Sequence, residues 1–323
     1  MSMYIAGTGS ALPRKIVTND DLAQMMDTSD EWIYTRTGIH RRHVLTDERL
    51  DDLAIASAKL ALEDAGLDGA DIDLILCATM RADTFTPSLA CTVAGAIGSH
   101  APAFDLNAAC VGVLYCMETA DAFISTGRAK NVLIVSAEAM SKLVDWQDRS
   151  TCVLFGDGAG AMVVREGEGR LAGVLTSDPS FFIHMPNVEG VNNPFNQIAQ
   201  EPLAMHMDGG EVYKFAVNAM GHRIEEVCAQ AGLSPADIDW YLPHQANVRI
   251  IDASLKKFRI EKSKVLLNIA DCGNMSATSV MVLLDQFARK GTFHTGDKLL
   301  LVAFGGGLTS GAVIIEWKKD QKN

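Results

Sequence analysis

The sequence predicts an α/β fold built from two duplicated halves, residues 1–170 and 171–323. Three observations carry this. Short apolar runs alternate with helical stretches along the whole chain, which is the pattern of βα units. Residues 65–76 repeat as residues 231–242, with Ala65 falling on Ala231 at an offset of 166. After Gly169 the pattern restarts from a strand. A period this long is a duplicated half-molecule, not a solenoid repeat.

The first half begins with a strand over 3–9, closed by Gly9 and Pro13. Helix starts follow at Thr18 and at Thr28-Ser29, each just ahead of acidic residues. A side-chain oxygen there accepts an orphan backbone N–H, and the acids meet the positive end of the helix. An amphipathic helix over 50–65 stops at Gly66. Then come a strand over 71–79, a small-residue helix over 88–97, a strand over 103–105 and a helix over 111–126. Residues 131–136 are continuously apolar, as in a strand buried on both faces. A glycine turn at 155–160 leads into a strand over 161–164. In the second half a strand over 171–176 precedes an irregular insert over 178–207, which holds Pro179, Pro186, Pro194 and Pro202. A helix over 211–231, a strand over 238–242, helices over 247–258 and 275–290, and strands over 299–303 and 311–317 complete the chain.

A formal charge of -12 argues against nucleic acid or an anionic membrane as the main partner. No apolar run is long enough to span a bilayer, and the N-terminus lacks signal-peptide regions. Seven scattered cysteines with no CxxC pair suit the cytoplasm, not a disulfide framework or a metal site.

The chemistry centres on residues 105–112. Cys110 follows a short strand and leads into a helix, where unpaired N–H groups and the macrodipole favour an anion. That placement predicts a thiol more acidic than a free one. A lone cysteine is more often a small buried residue than a nucleophile, so the repeat is needed to weigh it. Met117, Asp121, Phe123 and Gly127 fall on Met281, Asp285, Phe287 and Gly291 at an offset of 164, which sets Cys110 on Asn274. The strand repeated from the first half ends at Pro243-His244-Gln245-Ala246-Asn247. Cys110, His244 and Asn274 thus lie at three element ends, where α/β folds place their sites.

At these residues the chain resembles the β-ketoacyl-acyl carrier protein synthase III family of the thiolase superfamily. The matching stretches are Thr28-Ser29-Asp30-Glu31-Trp32-Ile33 with Thr35-Arg36-Thr37-Gly38-Ile39, Ala108-Ala109-Cys110, Phe155-Gly156-Asp157-Gly158-Ala159-Gly160-Ala161, Pro243-His244-Gln245-Ala246-Asn247, Gly273-Asn274 and Phe304-Gly305-Gly306-Gly307. They occur in order and cover nearly the whole chain.

The resemblance implies a thiolase-like five-layered αβαβα fold, a homodimer, and an acyltransferase that starts fatty-acid synthesis with no cofactor beyond its substrates. Cys110 would carry the acyl group of an acyl-CoA. His244 and Asn274 would stabilise the enolate from malonyl-acyl carrier protein. The N–H groups of Cys110 and Gly306 would form an oxyanion hole. Trp32, Arg36, Arg149, Gly209 and Asn247 would bind CoA, with Thr86 and Phe155 at the acyl pocket. Arg249, Lys214, Lys256 and Lys257 would meet the acidic carrier protein.

Some positions depart from the family. Thr86 stands where members with acetyl primers carry Phe, at a position that floors the partner's acyl pocket, so a longer or branched primer is expected. Met275 and the insert around Phe181 to Pro202 also differ, which leaves room for a specialised synthase of secondary metabolism. Rival enzymes fit less well. A thiolase needs a second cysteine near 303–307, an elongating synthase two histidines, and a 3-hydroxy-3-methylglutaryl-CoA synthase a glutamate base. A non-catalytic CoA or carrier-protein module would not need the Cys, His and Asn set.

Overall fold

The computed structural model describes residues 2–186 and 203–318. The first half supplies β1 (Ser2–Ala11), β2 (Lys15–Thr18), α1 (Asn19–Ala23), α2 (Asp30–Thr37), β3 (Arg41–Val44) and α3 (Leu50–Ala65). It continues with β4 (Leu74–Ala78), α4 (Leu89–Ile97), β5 (Ala103–Leu106), α5 (Gly112–Ser125), β6 (Asn131–Ala139) and β7 (Asp157–Gly167). The second half supplies β8 (Arg170–Ser180), β9 (Ile183–His184), β10 (His206–Met207), α6 (Gly209–Gln230), β11 (Trp240–Pro243) and α7 (Val248–Leu255). It closes with α8 (Ile269–Cys272), α9 (Thr278–Arg289), β12 (Lys298–Gly305) and β13 (Gly307–Glu316).

Two sheets follow the same plan. The first runs β1-β7-β6-β4-β5 and the second β8-β13-β12-β11. An isolated parallel bridge from Tyr241 to Val265 stands in the second half where β5 stands in the first. Strand alternation then sorts the side chains into layers. Leu74, Leu76, Val132 and Ile134 face inward with Leu299, Leu301, Val313 and Ile315, against α5 and α9. Ile75, Cys77, Leu133 and Val135 face α3 and α4 on one outer side. Leu300, Val302, Ala312 and Ile314 face α6 and α7 on the other. The layers are therefore αβαβα, as expected.

Two features differ from the sequence reading. The 178–207 insert is partly regular: β8 runs on to Ser180, and β9 pairs with β10 across it. Residues 187–202, with Pro194 and Pro202, lie outside the described residues. The antiparallel β2–β3 pair was not anticipated, because each strand has only four residues and β3 carries two arginines. Arg42 is wholly buried, donating to the Val17 and Val153 carbonyls and to Asn19 Oδ1. Its burial pulls the guanidinium pKa down to about 10. A hydropathy pattern cannot flag a core strand that holds a guanidinium.

Candidate active site

Cys110 lies two residues ahead of α5, in the tight turn Ala109–Val111. Ala109 takes a left-handed φ of 45°, a conformation that non-glycine residues hold only when their surroundings enforce it. The enforcing neighbour is the turn between β12 and β13. A Cβ on Gly305 would lie 2.8 Å from the Cys110 nitrogen and 2.9 Å from its Cβ, so only glycine lets the turn come this close. Gly306, the next residue, sits over Ala109.

The expected acidity of the Cys110 thiol is corrected by its surroundings. Burial pushes it up to about 11, against the opposing effects of the Ser276 hydroxyl and the cysteine's own N–H. That hydroxyl donates to Sγ at 3.4 Å. Glu138, nearby and fully buried, is itself held well above the carboxylate range by burial.

His244 follows β11 and is anchored by its N–H to the Val302 carbonyl at 2.8 Å. Its ring meets Phe304 edge-on at 5.6 Å. Burial depresses its pKa to about 3, so the imidazole is neutral. Nδ1 is buried without a partner, which leaves Nε2 as the nitrogen that can meet a substrate. Asn274 is bridged to Phe155, with its N–H on the Leu154 carbonyl at 2.9 Å and its carbonyl receiving the Gly156 N–H at 3.0 Å. Its side-chain Oδ1 accepts the Ser276 N–H at 2.9 Å, so the amide Nδ2 is the group left to donate.

Cys110, His244 and Asn274 line one pocket of about 350 Å³. Phe155, Met80, Met140, Met205 and Met207 line it too. The backbone keeps the 164 register of the repeat at the helix ends: Gly127 after α5 and Gly291 after α9 take left-handed φ values of 71° and 69°.

The expected CoA residues gather at the mouth. Ser29 caps α2 by accepting the Trp32 N–H. Arg36 stands one turn after Trp32, with its guanidinium 4.5 Å from the indole centroid, and Arg149 lies 4.6 Å from the same ring. Asn247 caps α7 and donates through Nδ2 to the Arg36 carbonyl at 2.9 Å. Gly209 opens α6 and lines the pocket with Trp32, Arg36, Asn247 and Arg249.

The cationic patch is thinner than expected. Lys214 pairs with Glu211 at 2.6 Å and Lys257 with Glu225 at 3.0 Å. Arg249 and Lys256 are exposed, Arg249 at the mouth. Thr86 is exposed between β4 and α4 and is not part of the pocket of its own chain. Cys91 is exposed. The sequence reading missed Ser276 and Glu138, which belong to no spacing pattern.

Comparison with known proteins agrees with this geometry. Residues 104–179 match the family model for 3-oxoacyl-[acyl-carrier-protein] synthase III, and residues 228–317 match its C-terminal model. The chain is 44% identical to β-ketoacyl-[acyl-carrier-protein] synthase III of Clostridium acetobutylicum, over 98% of this chain and 99% of that one.

The chain belongs to the β-ketoacyl-acyl carrier protein synthase III family.

Among solved members, the Aquifex aeolicus synthase III superposes with a TM-score of 0.91 at 42% identity, covering 98% of this chain and 100% of that chain. The priming β-ketosynthase of the R1128 polyketide pathway gives 0.92 at 34% identity, covering 99% and 97%. Among the described residues, no helix is long and apolar enough to cross a membrane.

Proposed function

We propose that this synthase III condenses an acyl-CoA primer with malonyl-acyl carrier protein through an acyl-Cys110 intermediate, the step that starts fatty-acid synthesis. The observation that carries this is the convergence of Cys110, His244 and Asn274 on one pocket. In the first half-reaction Sγ attacks the thioester carbonyl, the bond to the CoA sulfur breaks, and the thiol proton leaves with CoA. The N–H groups of Cys110 and Gly306 hold the oxyanion. In the second, malonyl-acyl carrier protein loses carbon dioxide, and its enolate carbon attacks the acyl-Cys110 carbonyl and frees Sγ. His244 Nε2 and Asn274 Nδ2 donate to the enolate oxygen. A neutral imidazole suits this role, since burial keeps it uncharged at working pH.

Trp32 stacks on the adenine of CoA, which requires Arg149 or Arg36 to leave its face of the indole. Asn247 and Gly209 border the pantetheine arm, and Arg249 with Lys256 receives the acidic carrier protein. The synthase acts in the cytoplasm as a homodimer, in which Thr86 of each chain closes the pocket of the other. A threonine there, with four methionines in the pocket, favours primers longer than acetyl, because unbranched thioether side chains adapt to varied shapes.

The test is intact mass after mixing with acyl-CoA. Wild type should gain one acyl group and pass it to malonyl-acyl carrier protein. Cys110→Ala should gain none. His244→Ala and Asn274→Ala should each acylate but condense about 10²–10³-fold more slowly. Acylation surviving in Cys110→Ala would overturn the reading.

A further inference from the structure

Ser276 touches both halves of the site. It is fully buried in the loop between Asn274 and α9, with a left-handed φ of 52°. Its hydroxyl donates to Cys110 Sγ at 3.4 Å, and its backbone N–H donates to Asn274 Oδ1 at 2.9 Å. The hydroxyl does not hold the loop together: Ser279 Oγ does that, accepting the Met275 N–H at 2.9 Å. A non-glycine residue holds this conformation only where its surroundings enforce it. It aims the hydroxyl at the sulfur while the amide meets the carboxamide.

We infer that Ser276 is a positioning residue serving both half-reactions. Its hydroxyl stabilises the Cys110 sulfur as charge forms there, and its N–H sets Asn274 with Nδ2 free toward the enolate. This rests on Cys110 being the acyl carrier. Negative charge sits on Sγ twice: when the thiol gives up its proton to attack the thioester, and when the ketoacyl product leaves it. A donor already in place meets that charge without reorganisation. Burial opposes the thiolate, and the hydroxyl works against that effect.

Ser276→Ala deletes the hydroxyl but keeps the N–H, so the two roles separate. The rate of Cys110 alkylation by iodoacetamide should fall about tenfold, the size of one hydrogen bond to a charged group, and its pH profile should move to higher pH. Acylation by acyl-CoA should slow by a similar factor. Decarboxylation of malonyl-acyl carrier protein by pre-acylated enzyme should stay within about threefold of wild type, because the N–H on Asn274 remains. Ser279→Ala, a neighbouring hydroxyl that bonds Met275 instead, should leave the alkylation profile in place. If Ser276→Ala folds poorly, Ser276→Gly accepts the left-handed φ and lacks the same hydroxyl. Unchanged alkylation and acylation in the folded variant would overturn the inference. Alkylation reads the thiol directly, so it tests Ser276 even if Cys110 carried no acyl group.

Discussion

Glu138 shows how far a single side chain can depart from its sequence context. It lies on β6, fully buried, with Oε1 accepting the Met80 N–H at 3.1 Å and Oε2 unpartnered. Burial holds its pKa well above the usual 4.5, so the fold keeps a proton that the unfolded chain gives up. Stability is then lost as pH rises from about 4.5, because the folded state binds more protons. Glu138→Gln should remove that slope. Thermal melts should show the variant gaining on wild type from pH 5 to pH 8, and parallel curves would refute it. The apolar run that predicts this strand covers 131–136, short of the glutamate. The strand runs to Ala139 with that carboxyl inside. Cys110, His244 and Asn274 were legible because each sits at an element end marked by glycine, proline or small residues. Ser276 and Glu138 were not, since contacts across 166 and 58 residues leave no local trace.

Glycines decide how closely the elements approach. β1 lies on α3 through Gly7 and Gly9, and a Cβ at Gly9 would fall 2.3 Å from the Ser57 carbonyl oxygen. The obstacle is helix backbone, which cannot rotate aside as a side chain can. Gly9→Val should therefore cost at least about 1–3 kcal/mol, seen as a lower melting temperature by calorimetry. Gly95, exposed inside α4 with nothing within 4 Å of its Cβ position, is the contrast. Gly95→Ala should be neutral, or stabilise by up to about 1 kcal/mol. A valine at 9 without penalty would mean that β1 and α3 are not packed this tightly. Most long elements were readable from periodicity and stop signals, notably α3 with its Gly66 end and α6 over most of its length. The short β2–β3 and β9–β10 pairs were not, because their partners lie far along the chain and their pattern is too brief.

Across the molecule, the duplication was legible as a sequence repeat and reappears as two sheets of one plan. The surface of the proposed dimer was not. β5 is an outermost strand of the first sheet, with Phe104 on it 38% exposed, and Phe85 near Thr86 is 79% exposed. An open edge carrying apolar side chains is a pairing surface. Phe104→Asp should convert the proposed dimer to monomers in analytical ultracentrifugation, and Thr86→Phe should shift primer preference toward acetyl-CoA in a primer panel. Dimers intact in the first case would remove the β5 edge from the interface, and an unchanged profile in the second would remove Thr86 from the pocket. The four tryptophans add one consequence. The indoles of Trp146 and Trp240 are tied to Ser141 and Asp297, and Trp317 packs on Phe293. Trp32 instead carries two guanidinium groups at the pocket mouth. A nucleotide base that displaces either one removes a positive charge from an excited-state dipole. The chain thus holds a built-in fluorophore, whose emission should change as CoA loads and revert as it leaves, with Trp32→Phe as the dark control.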